Sequence, residues 1–489
     1  MNSRKYLVFA VFAVILPLSS CSGVHNRCVT NCVPNGDALL SISISDTPPA
    51  NTTILSFTLP ITGIKLTTSS GTSVSVFSPS SAANFELTRL QSDSDVVVTN
   101  ASVAAGTYTS LSVAFGTPSG TFINNSGAQV GNCPAANPFS VCGITGTFTT
   151  ITVPINLTLT SDAHQWLDLD FNYNNAIDTS SGIAINLGLA NVLTATTTVP
   201  TGVPSGDFAN VDDFTGRVTA VSSSSISLTS TVRGNLSATI NGSTKVFDPQ
   251  TPAQCSGGVA TLSCIKVGSI VSLQAVLTNT GTVVATSLDV IDSATTPVDE
   301  VEGTIYPSTC NGTGSIGMII SDSSIITTGS PLASAGFGTG VCLTLTTSSF
   351  LIDFGILTGQ PGLPVSSAGF SSGNDLLAGQ TVRAKITGAT PATGTNSISA
   401  TATAMILRFS RLTGTFGTLS GTGFTISGLP SYITAFTAPP EAQTFTNATL
   451  FEGAANVSSL SGTVSISALF YNPIGGPTQP LQAAKVRQH

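Results

Sequence analysis

The sequence predicts an all-β protein, a membrane-proximal β-sandwich followed by three small β-barrel-like modules. Three observations carry that expectation. Ser, Thr, Gly, Val and Ile are abundant in the 489 residues, and these favour strands and turns over helices. Short segments alternate apolar and hydroxyl side chains, as in Leu40-Ser41-Ile42-Ser43-Ile44-Ser45, the period-two signature of a half-buried strand. Past the first domain a strand–turn pattern recurs, which indicates related modules in series. Hydrophobic residues make up 41% of the chain, enough for packed cores, and the length suits roughly three or four domains.

Residues 1–20 have the layout of a secretory signal: Arg4 and Lys5, an apolar run from Tyr6 to Leu16, then small Ser19 and Ser20 before Cys21. The run of 11 residues is well short of the ~20 that a spanning helix needs. Leu18-Ser19-Ser20-Cys21 resembles the lipobox of bacterial lipoproteins. That resemblance implies cleavage before Cys21, a diacylglyceryl thioether on its sulfur and an acylated new amino terminus. Ser22 in place of Asp implies sorting to the outer membrane. Two or three acyl chains, at ~0.8 kcal/mol per buried methylene, make a stable anchor. Residues 21–36 are then a lipidated tether, at most ~50–55 Å long when extended.

Nine cysteines are an odd number for an exported protein. With Cys21 assigned to lipid, the others fall into sequential pairs. Four local disulfides are expected in an oxidising compartment: Cys28–Cys32, Cys133–Cys142, Cys255–Cys264 and Cys310–Cys342. The C-x3-C and C-x8-C spacings, with no histidine near most of them, argue against zinc.

The sandwich is expected over residues 37–198. Its strands read as Leu39–Ser45, Ile54–Leu59, Ile61–Leu66, Val74–Phe77, Val96–Val98, Thr107–Phe115, Thr147–Leu159 and Trp166–Tyr173. A Pro/Gly-rich linker occupies 199–210. The modules follow at 211–293, 298–410 and 411–489. Each opens on a strand with an early glycine: Phe214-Thr215-Gly216, Val301-Glu302-Gly303 and Leu412-Thr413-Gly414. Second strands follow at Ile226–Leu228, Met318–Ile320 and Phe424–Ile426. A later glycine precedes a Val-centred strand, at Gly268, Gly379 and Gly462. Gly216 to Gly268 spans 52 residues, Gly303 to Gly379 spans 76 and Gly414 to Gly462 spans 48. The middle unit is therefore the expanded one, and Cys310–Cys342 is expected to staple its insertion.

Residues 37–198 resemble domain of unknown function 4382, found in bacterial lipoproteins, through Leu40–Pro48, Ala105–Leu111 and Leu169-Asp170-Phe171. The three units resemble domain of unknown function 5666 through their G-x-V strand starts and the later G-x-x-V strand. The resemblances imply an exported β-domain protein and supply no catalytic residue.

Only 8% of residues are charged, with a formal net charge of -8. Nothing here would neutralise phosphates, so nucleic acid is excluded as a partner. Gly369-Phe370-Ser371-Ser372-Gly373 matches the nucleophile-elbow pattern, and Gly312–Gly317 matches a dinucleotide-binding one. Both lack the strand–helix frame their chemistry needs, and the only histidine after the elbow is His489. The segment His164–Asn174 is the one arrangement with chemical content. On a strand, His164, Trp166, Asp168, Asp170 and Asn172 share a face opposite Leu167, Leu169, Phe171 and Tyr173. Asp168, Asp170 and Asn172 offer oxygen ligands to calcium, against the plainer and preferred reading of a solvated acidic face. Trp166, with His164 beside it, is either covered or a stacking platform for a sugar ring, and burial is preferred.

These readings combine into a non-enzymatic, membrane-anchored exported lipoprotein of the bacterial cell envelope. It needs no cofactor and has a binding or structural role, of which glycan recognition is one form. Its partners are the membrane, through the lipid, and a polysaccharide or envelope protein. The alternative is an envelope-polymer hydrolase using Asp168 and Asp170.

Overall fold

The computed structural model describes residues 36–135, 140–180, 183–203, 206–248, 264–293, 298–307, 310, 314–363, 367–392, 397–433, 435–436, 438–471 and 480–489. The signal, Cys21, Cys28, Cys32 and Cys255 lie outside the described residues. The described chain is nearly all strand, and its helical elements are short 3-10 turns.

Thirteen strands build the first region. They are β1 (Asp37–Asp46), β2 (Ile54–Thr68), β3 (Ser73–Phe77), β4 (Ala83–Glu86), β5 (Asp95–Ala104), β6 (Gly106–Phe115) and β7 (Ser119–Asn124). Then come β8 (Ser140–Thr145), β9 (Thr149–Leu159), β10 (His164–Phe171), β11 (Ile177–Asp178), β12 (Ala184–Ile185) and β13 (Leu193–Thr196). One sheet runs β13-β10-β1-β5, the other β8-β7-β2-β6-β9 with β3 and β4 also on β2. Ile42, Phe57, Leu111, Leu167 and Phe171 are among the residues of the core that the two sheets enclose. The central pair β1–β10 is parallel, from Leu39 opposite His164 to Asp46 opposite Phe171.

Two strands expected on either side of Pro60 are one continuous β2. Pro60 lies opposite Asn84 of β4 and, on its other side, between the stretch of β2 that pairs with β7, up to Thr58, and the stretch that pairs with β6, from Ile61, so its missing N–H falls at a change of partner. Strands β4, β7, β8 and β13 carry too little alternation in too few residues to stand out locally. Cys133 and Cys142 form one disulfide, joining the segment after β7 to β8.

The rest of the chain makes three barrels. The first contains β14 (Ala209–Val221), β15 (Ser225–Ser230), β16 (Gly234–Thr239), β17 (Lys245–Phe247), β18 (Ile270–Leu277) and β19 (Val283–Asp292). The second contains β20 (Asp299–Tyr306), β21 (Ser315–Ser324), β22 (Gly340–Ile352), β23 (Thr381–Thr390) and β24 (Ile398–Arg408). The third contains β25 (Ser410–Ser420), β26 (Gly423–Ser427), β27 (Glu441–Gln443), β28 (Leu450–Glu452), β29 (Thr463–Phe470) and β30 (Leu481–Gln488).

The second barrel is closed in the order β20-β21-β22-β24-β23, with β22 and β24 parallel. The first and third repeat this order around β14 and β25, closed by the parallel pairs β16–β19 and β27–β30. Each also carries one short extra strand, β17 or β28, on its last strand. A first strand paired with both second and fourth, and a parallel third–fifth closure, is the connectivity of a small Greek-key barrel of the OB type.

The recurring glycines have physical causes. A Cβ on Gly216, Gly303 or Gly414 would lie 2.7, 2.0 or 2.4 Å from a carbonyl oxygen of the adjacent second strand. At Gly268, Gly379 and Gly462 the chain takes φ of +98°, +94° and +64°, the left-handed region that glycine tolerates. The middle barrel's extra length includes the connection 325–339 and a longer third strand. The disulfide Cys310–Cys342 ties the segment before β21 to β22. Cys264 is disulfide-bonded, and its expected partner Cys255 is outside the described residues.

Candidate functional site

Two residues on the face of β10 that alternation marked for solvent are buried. Trp166 is 4% exposed and Asp168 8% exposed. The reason is tertiary: the first barrel docks on the β1–β10 sheet, and Trp166 and Val96 join its core with Val211 and Leu277. The Trp166 ring stacks on Phe208 at 6.0 Å, and its Nε1–H donates to Ser43 Oγ at 2.8 Å. Trp166 is therefore a wedge between modules, not a sugar platform. Ser41, Ser43 and Ser45 of β1 are buried for the same reason, which corrects the half-buried reading of that strand.

Asp168 is committed to this seam. Its two carboxylate oxygens accept from Ser43 and Ser45 hydroxyls, each at 2.6 Å. Asp170 accepts from Thr47 at 2.8 Å, and burial raises its pKa, with Asp168 a further cause. Asn172 caps a local turn by accepting from Asn175 N–H. These bonds take up both Asp168 oxygens and one of Asp170, and among the described residues no group of three or more His, Cys, Asp or Glu is arranged to hold a metal. At the pair named by the hydrolase alternative, Asp168 is buried against β1 and Asp170 is bound to Thr47. Exposed His164 hydrogen-bonds Asn100 through Nδ1 at 3.0 Å. Asn100 in turn donates to the carbonyls of Thr280 and Gly281 in the first barrel, so His164 supports a docking contact.

The elbow-like match is structural, whereas Gly312 and Thr313 of the other match lie outside the described residues. Asp375 accepts from both Ser371 and Ser372 hydroxyls and their N–H groups, which makes the elbow-like segment a capped 3-10 turn. His489 contacts Ser465 of the third barrel. Gly317 lies within β21, opposite Cys342.

Sequence reasoning missed the main concentration of chemistry, a buried ionic junction where all four regions meet. Arg89, in the turn Leu87–Arg89 of the sandwich, donates from Nε to Asp212 at 2.9 Å and reaches Glu302 of the second barrel at 3.0 Å. Arg233 pairs with Asp212 at 3.0 Å and lies 4.7 Å over the Phe214 ring. Arg383 donates to Glu300 at 2.6 Å. Arg408 joins Asp213 at 2.9 Å, Glu302 at 3.3 Å and Asp353. From the third barrel, Arg411 pairs with Asp212 at 2.6 Å and with Asp213. Lys485 reaches Asp93 of the sandwich at 2.5 Å, and Arg487 donates to the carbonyls of Leu90 and Asp93.

Burial works against the charge on these acids, and the outcome differs by neighbour. At Asp212 it is outweighed by Arg89, Arg411 and Arg233, which hold the carboxyl below its usual range. Glu302 is likewise pulled down to about 2 by Arg408, Arg89 and Arg383 against the effect of burial. At Glu300, Asp322 and Asp95 burial wins and the pKa rises. Removing one partner from such a network typically costs ~3–5 kcal/mol, because a buried charge is left uncompensated. The signal in the sequence was there: Val382-Arg383-Ala384 and Leu407-Arg408-Phe409 place arginines inside apolar runs, where only a paired charge is tolerated.

A second feature is a cavity of about 410 Å³ where the sandwich, the first barrel and the second barrel converge, lined by Thr58, Asn84, Ser119, Thr231, Ser334 and Phe337 among others. It carries no charged lining residue.

Residues 37–227 match the family described as Domain of unknown function (DUF4382). The match extends past the sandwich into β14 and β15. No curated protein matches the chain. Among solved structures, drosophila Unr CSD456 is similar at 9% identity, over 57% of this chain and 97% of that one, with a TM-score of 0.13. A likeness of that size informs neither fold nor role.

Proposed function

We propose that the protein is a non-enzymatic lipoprotein of the bacterial cell envelope, anchored through Cys21 in the outer membrane. Its folded part is a stiff scaffold that presents binding surfaces to an envelope polymer or protein. The observation that carries this reading is the ionic junction. A chain with 8% charged residues concentrates many of them where four β-regions touch, so electrostatics serve assembly of the scaffold. Hydroxyl and amide groups dominate what is left for the surface, which suits hydrogen-bonded recognition. We read the three barrels as repeats of the kind found in domain of unknown function 5666, carried outward by the sandwich. The chemistry available at Asp168 favours this reading over the hydrolase.

Membrane fractionation with intact-mass measurement tests the anchor. The mature protein is expected to begin at an acylated Cys21, and Cys21→Ser is expected to move it from the membrane to the soluble fraction. An unmodified Cys21 in mature protein overturns the reading.

A further inference from the structure

The cavity between the sandwich and the first two barrels is open to solvent and lined by hydroxyl, amide and apolar groups. Its volume, about 410 Å³, falls in the ~300–1,000 Å³ range of small-molecule sites. The sandwich contributes Asn84, Thr117 and Ser119, whose side chains make no hydrogen bond among the described residues. Pro60 and Phe337 add apolar surface, against which the C–H face of a pyranose packs while its hydroxyls meet amide and hydroxyl groups. No Lys or Arg lines it, so the charge that dominates phosphate and nucleic-acid binding is missing from the lining.

The walls are held by contacts between modules. Thr121 Oγ1 on β7 donates to the Gly338 carbonyl at 3.0 Å, next to Phe337. A Cβ on Gly338 would stand 2.9 Å from Thr121 Oγ1 and 3.0 Å from Ser56 Oγ, with φ at +76°. Only glycine lets the loop of the second barrel sit this close to the sandwich. On the other side, Thr231 N–H donates to the Ser323 carbonyl at 2.8 Å, and Thr231 Oγ1 accepts from Ile325 N–H at 2.9 Å. Preformed walls reduce the ordering cost of a weak, hydrogen-bonded ligand.

We infer that this cavity binds a neutral oligosaccharide, with Asn84, Thr117 and Ser119 as hydrogen-bonding groups and Phe337 as the apolar platform. The inference deepens the envelope-binding reading by naming its ligand class, and it rests on that reading for biological context only. Calorimetric titration of the full-length protein in detergent tests it, with maltohexaose, cellohexaose and chitohexaose as neutral probes and polygalacturonate as the charged comparator. Saturable binding of at least one neutral probe is expected. Phe337→Ala and Asn84→Ala should each weaken it about tenfold, and Thr117→Arg, which fills the cavity from its rim, should abolish it. All three variants should keep the wild-type circular dichroism spectrum. No binding of any neutral probe, equal affinity in all three variants, or preference for polygalacturonate overturns the inference. The Cys21 fractionation is unaffected by any of these results, so a failure here leaves the anchored-scaffold reading standing.

Discussion

Strands β1 and β9 are written in the same pattern and end in opposite surroundings. In β1, Ser41, Ser43 and Ser45 alternate with Leu40, Ile42 and Ile44, and both sets are buried. In β9, Thr150, Thr152 and Thr158 alternate with Ile151, Val153 and Leu157 or Leu159, and the threonines face solvent. The difference lies in what covers the second face. β1 belongs to the sheet on which the first barrel docks, whereas β9 is at the edge of the other sheet. Hydroxyls on the covered side hydrogen-bond Asp168 and Trp166. On the open side they pair with each other in water, as Ser112 does with Thr152 at 2.8 Å. A hydroxyl that is decorative in one sheet is a required partner in the other, since a buried polar group left unsatisfied costs ~1–3 kcal/mol.

The covered side should therefore respond to substitution far more than the open one. The largest effect is expected at the junction beside it: Asp212→Ala leaves Arg89, Arg233 and Arg411 short of a counter-charge and should cost ~3–5 kcal/mol, read as a lower urea midpoint. Asp168→Ala strips the acceptors from Ser43 and Ser45 and should cost about 3 kcal/mol. Ser112→Ala on the open face should stay within about 0.5 kcal/mol. Equal losses for the last two would break the comparison.

A pH-dependent effect sharpens it. Asp289 of the first barrel lies against the second, where a Cβ on Gly355 would be 3.1 Å from its carboxylate. Burial pushes its pKa up to about 7, against the pull of Arg408. Because the folded value lies above the unfolded ~3.9, folding favours the protonated form. Its contribution is full below the unfolded value and is lost as pH rises toward 7 and through it. Asp212 and Glu302, with lowered values, act in the opposite sense and lose their contribution on acidification. Asp289→Asn should flatten the decline in urea midpoint between pH 4 and pH 8, and an unchanged profile would remove Asp289 as its source.

Much of the fold was legible from short windows. The alternation at Leu40–Ser45 located β1, and the glycine–valine starts located the first and fourth strands of every barrel. Cys133–Cys142 and Cys310–Cys342 were paired correctly because each lies within one module. Pro60 misled because a change of partner strand is a relation between strands and not a property of the tripeptide around it. The solvated face expected for Asp168 failed for a related reason, since the surface that covers it comes from residues beyond 207 in the chain.

The sequence by itself determined the strand class, the recurrence of the barrels and the disulfides Cys133–Cys142 and Cys310–Cys342. These depend on side-chain period, steric limits at glycine and short loop closure, all set by near neighbours. Only the tertiary structure decided which polar faces are interior and which scarce charges meet. Period two marks two faces of a strand without saying whether water or another module lies on the second, and ion pairs such as Arg89–Asp212 join residues that no local pattern connects.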